Sequence, residues 1–207
     1  MAFPNRFFAV SLLSLAGCHC GPTKAKPPVS APTTASLVMT VPRAKVPIKI
    51  DGELEDEAWP ASARTEPFED AQGLRVPHAN LSFTADDESL YIVVYVADQD
   101  LRSEGDQVTL TVGSLKLLLT PKKQTVPEGV TVGTDVDGTI DDPSDDDEEW
   151  ISEIAIPWRL LGSKRVTVRA LRVDAGKTQT RPHAYAWPRT TPAIVDFTGG
   201  GVASPSN

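Results

Sequence analysis

Between residues 135 and 149 lie nine carboxylates and no lysine or arginine. The chemistry such a stretch could do is to hold a hard cation, which takes six to eight oxygen ligands. Asp135, Asp137, Asp141 and Asp142 are the candidate ligands, with Gly138 and Pro143 to bend the chain. An EF-hand is excluded. With Gly138 in the sixth position, the first and twelfth ligands would be Gly133 and Ser144, and neither carries a carboxylate. A looser calcium site and a solvated acidic loop both remain open. Calcium is the only cofactor this composition suggests, and none is required. Four tryptophans are the other conspicuous residues, since an aromatic ring flanked by planar polar groups can take up a flat ligand. Trp59 and Trp158 are expected in the core. Trp150, at the head of a strand, is expected partly exposed. Trp187, near a sheet end and followed by Pro188 and Arg189, is the better ligand candidate, with a place in the core slightly favoured.

Other chemistry finds little support. His78 and His183 have no cysteine or histidine at metal spacing, and Met39 is the lone methionine beyond the first residue, so haem ligation is not expected. No Ser-His-Asp or Cys-His pattern is present, and nothing organises the acids into a pair across a cleft. Catalysis is therefore not expected. The net charge of -8 comes from the one acidic stretch, because the rest balances at 20 basic to 19 acidic residues. No basic stripe is left for nucleic acid.

The elements that would position these residues are short strands. Residues 38–40 and 46–50 have β propensity, and Asp51-Gly52 turns the second run into an acidic helical turn that ends near Trp59, with Pro60 limiting its length. Pro67-Phe68 suits a short strand. Leu81, Phe83 and Ala85 alternate with Asn80, Ser82 and Thr84, which predicts a half-buried strand. Asp86-Asp87-Glu88-Ser89 reads as a hairpin loop, and residues 90–97 as a central strand. Val108, Leu110 and Val112 face one way, and residues 115–120 pair back after Gly113. Residues 121–128 break the sheet. Residues 150–156 alternate until Pro157, and Trp158, Leu160 and Leu161 share a tight turn closed by Gly162. Strands follow over 166–173 and around Tyr185 and Trp187. Many short strands at regular spacing, with one or two helical turns, predict an all-β antiparallel sandwich of jelly-roll or immunoglobulin-like type.

The ends read differently. Arg6 precedes an apolar run over 7–15, too short to span a bilayer, so residues 1–17 read as a secretory signal peptide. Leu15-Ala16-Gly17-Cys18 matches a bacterial lipobox, which would lipidate Cys18 and anchor the chain in a membrane. His19 follows the cysteine, which favours the outer membrane. Cys20 is left without an intrachain partner. Residues 18–36, rich in Pro, Ala and Thr, read as a tether, 37–198 as one folded domain and 199–207 as a frayed tail.

Taken in order, Ile50-Asp51-Gly52, Trp59, Asp86-Asp87-Glu88-Ser89-Leu90-Tyr91, Asp98 with Asp100, Asp106-Gln107-Val108 and Glu153-Ile154-Ala155-Ile156-Pro157-Trp158 resemble the family 9 carbohydrate-binding modules and the wider DOMON-like sandwiches, over residues 38–197. The resemblance implies a β-sandwich that binds glycan or polysaccharide without catalysis, with the ligand on loops at one end. Family members clamp a sugar between two tryptophans, one just before the Asp106 strand and one in the last loop. Residues 101–105 and 189–197 hold no tryptophan, and the arginine of the next strand is replaced by Lys116. The remaining sugar-binding candidates are Arg102, Asp106, Lys116, Trp187 and Arg189. The leading expectation is glycan recognition by a monomeric cell-envelope lipoprotein. The alternative is a structural or protein-interaction sandwich that has lost the sugar site, and a glycan-processing enzyme comes third.

Overall fold

The computed structural model describes residues 36–75, 77–176 and 182–198. The signal segment, Cys18, Cys20, nearly all of the tether and the tail lie outside them. Twelve strands among the described residues form two sheets. The larger contains β1 (Val38–Thr40), β5 (Gln107–Val112), β6 (Leu115–Leu119), β7 (Gln124–Thr125), β10 (Arg165–Asp174), β11 (His183–Trp187) and β12 (Ala193–Asp196), in the order β1-β12-β10-β5-β6-β7 with β11 also on β10. The smaller runs β2 (Ala63–Arg64), β3 (Ala79–Ala85), β4 (Ser89–Ala97), β9 (Glu149–Pro157), β8 (Thr131–Asp137). All strand pairs are antiparallel except β1 with β12, which is parallel. The expected sandwich is observed.

Alternation explains the layers. Leu81, Phe83, Leu90, Ile92, Val94, Ile154 and Ile156 point from the smaller sheet onto Val108, Leu110, Val112, Leu117, Val168 and Ala170 of the larger, and these side chains are buried. Each large one contributes roughly 1.5–3 kcal/mol on leaving water. Pro157 ends β9, and α1 (Trp158–Leu161) closes on Gly162 in the left-handed region, where a side chain would be strained.

Five local expectations change. Residues 46–50 are not a strand. Pro47 cannot donate to a ladder, and the segment lies against the outside of the smaller sheet, where Ile48 packs with Trp59 and Val93. The acidic turn is irregular and ends in a 3-10 turn over Trp59–Ala61, which Pro60 opens rather than stops. Residues 131–137 form β8, so Asp135 and Asp137 belong to a strand and not to the acidic loop. The stretch read as the last loop contains β12. β3, expected half-buried, is buried on both faces because residues 42–64 cover its outer side.

Candidate functional site

Glu153 stands on β9 with its side chain on the outer face of the smaller sheet, yet it is fully buried. Its Oε2 accepts hydrogen bonds from the amides of Asp51 and Gly52, both at 3.0 Å, and its Oε1 accepts from Trp59 Nε1 at 2.6 Å. Burial pushes its pKa up, against the pull of those three donors toward the charged form. The covering backbone touches the sheet directly. A Cβ on Gly133 would sit 2.6 Å from the Asp51 backbone, and one on Gly52 would sit 2.4 Å from the Asp135 amide nitrogen. Gly52 also has a φ of 99°, which side chains other than glycine's rarely adopt. Asp51-Gly52 and Glu153, more than a hundred residues apart in sequence, are thus joined by one carboxylate and two glycines.

Fixing that segment creates a concavity. Leu54, Trp59 and Ser62 form one wall of a groove of about 340 Å³. Asn80 and Ser82 of β3 and Val93 and Tyr95 of β4 form its floor, and Arg64 of β2 and His78 form its rim. The polar groups are unequally engaged. Arg64 Nε donates to Ser82 Oγ at a long 3.4 Å, and no carboxylate lies within ion-pair distance of it among the described residues. Asn80 is 5% exposed, and its carboxamide makes no hydrogen bond to another described residue. The His78 ring stands edge-on to Tyr95 at 6.5 Å. Burial, with help from the Glu149 carboxylate, pushes the Tyr95 phenol up to about 12, so it stays protonated. Aromatic rings beside a guanidinium, a carboxamide and hydroxyls can hold a flat, hydroxyl-rich molecule.

The sugar-binding residues expected from sequence are placed elsewhere and apart. Trp187 is 4% exposed and packs inside the core, 6.1 Å from the Phe83 ring. Arg189 is on the surface, 3.9 Å from Glu69. Lys116 is exposed on the outer face of the larger sheet opposite Thr111. Arg102 pairs with Asp100 at 2.8 Å, and the buried Asp106 accepts from the amides of Arg102 and Ala175, both at 2.7 Å. Arg102 and Asp106 therefore share a loop contact, and Trp187 does not join them at a surface. Trp150, expected partly exposed, is buried because its side chain points between the sheets with Ile154 and Ile156. Trp158 is buried as expected, stacked on Phe197 at 5.7 Å, whereas Trp59 is buried in a separate cluster outside the smaller sheet.

The four acids considered for calcium are not gathered either. Asp135 and Asp137 lie on β8 facing Ile151 and Glu149, while Asp141 accepts from the Ser103 amide at 2.8 Å and Asp142 from the Ser144 amide at 2.9 Å. Asp147 organises that loop instead, accepting from the amides of Leu101 and Thr139, both at 2.6 Å. Among the described residues, three carboxylate oxygens converge only at Asp98, Asp106 and Asp174, within 4.8 Å of one another and all buried. Arg172 supplies positive charge there, 2.9 Å from Asp98 and 3.7 Å from Asp174. Burial raises Asp98 to about 7 and raises Asp106 as well.

No signal in the sequence identified the groove residues Arg64, Asn80 and Tyr95, because their role depends on which chain segment crosses the sheet beside them. Alternation did place Asn80 and Ser82 on the face opposite Leu81 and Phe83.

No family model matches the sequence, and no curated protein matches it. Solved structures do. A family 9 carbohydrate-binding module from Caldicellulosiruptor kristjanssonii in complex with glucose aligns with a TM-score of 0.60 at 15% identity, covering 82% of this chain and 100% of that one. A family 9 module from the same organism in complex with cellotriose aligns with a TM-score of 0.57 at 16% identity, covering 82% of this chain and 99% of that one. With its paired sheets and its Asp-Gly and Ile-Pro-Trp turns, the domain is a β-sandwich like the family 9 carbohydrate-binding modules in fold.

Proposed function

We propose that the domain binds carbohydrate without catalysis, and that it does so in the groove on the outer face of the smaller sheet. The observation that carries the reading is the groove's composition. Tyr95 offers ring surface beside the edge of the buried Trp59, while Arg64, Asn80, Ser82 and His78 offer the donors and acceptors that a polyol needs. Its volume lies at the small end of the roughly 300–1,000 Å³ usual for small-molecule sites, which suits one or two sugar residues. The likeness in fold to modules solved with glucose and cellotriose supports the same ligand class. The chain is proposed to act as a monomer, anchored through a lipid on Cys18 at the outer membrane, with residues 18–36 as the spacer.

Affinity gel electrophoresis against a panel of polysaccharides tests the binding. Retention of the wild-type protein on at least one of them, lost in Asn80→Ala with melting unchanged and in Tyr95→Ala with the fold retained by circular dichroism, is the expected result. A wild type retained by none would overturn the glycan reading and leave the alternative of an interaction or structural sandwich. For the anchor, palmitate should label the wild type and not Cys18→Ser.

A further inference from the structure

We infer that the groove selects an acidic sugar, a uronate residue, by pairing its carboxylate with Arg64. The inference rests on the glycan reading above and adds the ligand's charge to it.

Three of the nine described arginines, Arg64, Arg159 and Arg169, have no carboxylate within ion-pair distance among the described residues, and of these three Arg64 is the one that lines the groove. Arg43, Arg75, Arg102, Arg165, Arg172 and Arg189 each have a carboxylate within ion-pair distance. Arg64 has none among the described residues, although the chain carries eight more acidic than basic residues. Its place is fixed by the pairing of β2 with β3, which sets Arg64 opposite Ser82. Nε is the nitrogen turned to the Ser82 hydroxyl, so the two terminal nitrogens remain for a bidentate contact with a planar carboxylate. The groove's lining holds no Asp or Glu. Acids lie just outside the lining, Glu149 next to the Tyr95 phenol and the buried Glu153 beneath Trp59.

Asn80 adds a second polar partner at that site. It is 5% exposed as a residue, it lines the groove, and its carboxamide bonds to no other described residue, so its polar atoms are left for water or a ligand. Asn80 lies two residues from Ser82 on the same face of β3, roughly 7 Å away along the strand. A pyranose carrying its carboxylate to Arg64 would reach Ser82 and Asn80 with ring hydroxyls and set its apolar side toward Tyr95 and Trp59. A neutral hexose would find the same hydroxyl partners but bring no charge to Arg64.

Calorimetric titration of the full-length protein tests this with oligogalacturonate, alginate and glucuronoxylan fragments, each beside its carboxyl-reduced neutral counterpart, and with neutral gluco-oligosaccharides. One charge-assisted bidentate pair predicts a preference of about tenfold for the acidic member of at least one pair. Arg64→Gln should abolish that preference by weakening the acidic member more than its reduced counterpart, and leave melting unchanged, since Arg64 is exposed. Equal affinity for both members of every pair, or a preference that survives Arg64→Gln, overturns the acidic assignment and leaves the glycan reading intact. Binding of no member, acidic or neutral, overturns both.

Discussion

The two sheets of the sandwich present unlike faces to the outside. On the larger sheet, Arg169, Thr111 and Lys116 form one cross-strand row, and Leu171, Thr109 and Leu118 form the next, with Leu171 39% exposed. On the smaller sheet the equivalent face is overlaid by residues 46–62, so that Val93, Ile151 and Glu153 are buried beneath Trp59. A sheet face by itself is nearly flat, whereas a segment laid across half of it leaves a step. The groove is that step. Its concavity therefore depends on Glu153 and two glycines that do not line it, and this is how Asp51-Gly52 and the Glu153 strand bear on the proposed function.

The largest effect should come from removing the tie. Glu153→Ala would leave the amide of Gly52 and the indole N–H of Trp59 buried without an acceptor, at about 1–3 kcal/mol each. A loss on the order of 4 kcal/mol in chemical denaturation is expected, together with loss of glycan retention, because the wall formed by Leu54 and Trp59 would lift away. A variant as stable as wild type would show that the covering segment is held by its apolar contacts alone. Next comes Gly133→Ala, whose Cβ would meet the Asp51 backbone at 2.6 Å. Overpacking of that kind costs about 1–3 kcal/mol, and lower stability with weakened retention is expected.

The sharpest contrast between the faces is in binding. Tyr95→Ala and Asn80→Ala should weaken glycan affinity by about tenfold or more, the loss of one or two directed contacts. Lys116→Ala and Arg169→Ala, on the face of the larger sheet, should leave it unchanged. The reverse pattern in a titration would move the site to the larger sheet and end the case for the groove.

The sandwich was legible in the sequence because burial imposes a period of two on its strands. Leu81 with Phe83, and Val108 with Leu110 and Val112, carry that pattern without interruption. β8 was not, since Gly133, Asp135 and Asp137 lack strand propensity. Glycine is there for the close approach of Asp51, and the aspartates face outward. The groove was not legible either. Arg64, Asn80 and Tyr95 come from three strands, and only the crossing of residues 46–62 makes them neighbours of Trp59. The tryptophan that looked most available, Trp187, follows the inward alternation of Tyr185 on β11, and both are buried.

A smaller effect separates the two places where acid is buried. Glu153 meets three hydrogen-bond donors, whereas Asp98 shares one guanidinium with Asp106 and Asp174, and Asp174 Oδ1 has no hydrogen-bond partner. Burial is the main cause that lifts Asp98 to about 7. A carboxyl whose pKa is higher folded than unfolded binds its proton more tightly in the native state. The stability that proton contributes is complete below the unfolded value near 4 and is lost as pH rises through about 7. Melting temperature should therefore fall between pH 5 and pH 8, and Asp98→Asn, which keeps the shape without the charge, should flatten that slope. A wild type that melts higher at pH 8 than at pH 5 would mean that Arg172 outweighs burial, with Asp98 ionised throughout. The two acid sites would then differ in geometry but not in charge.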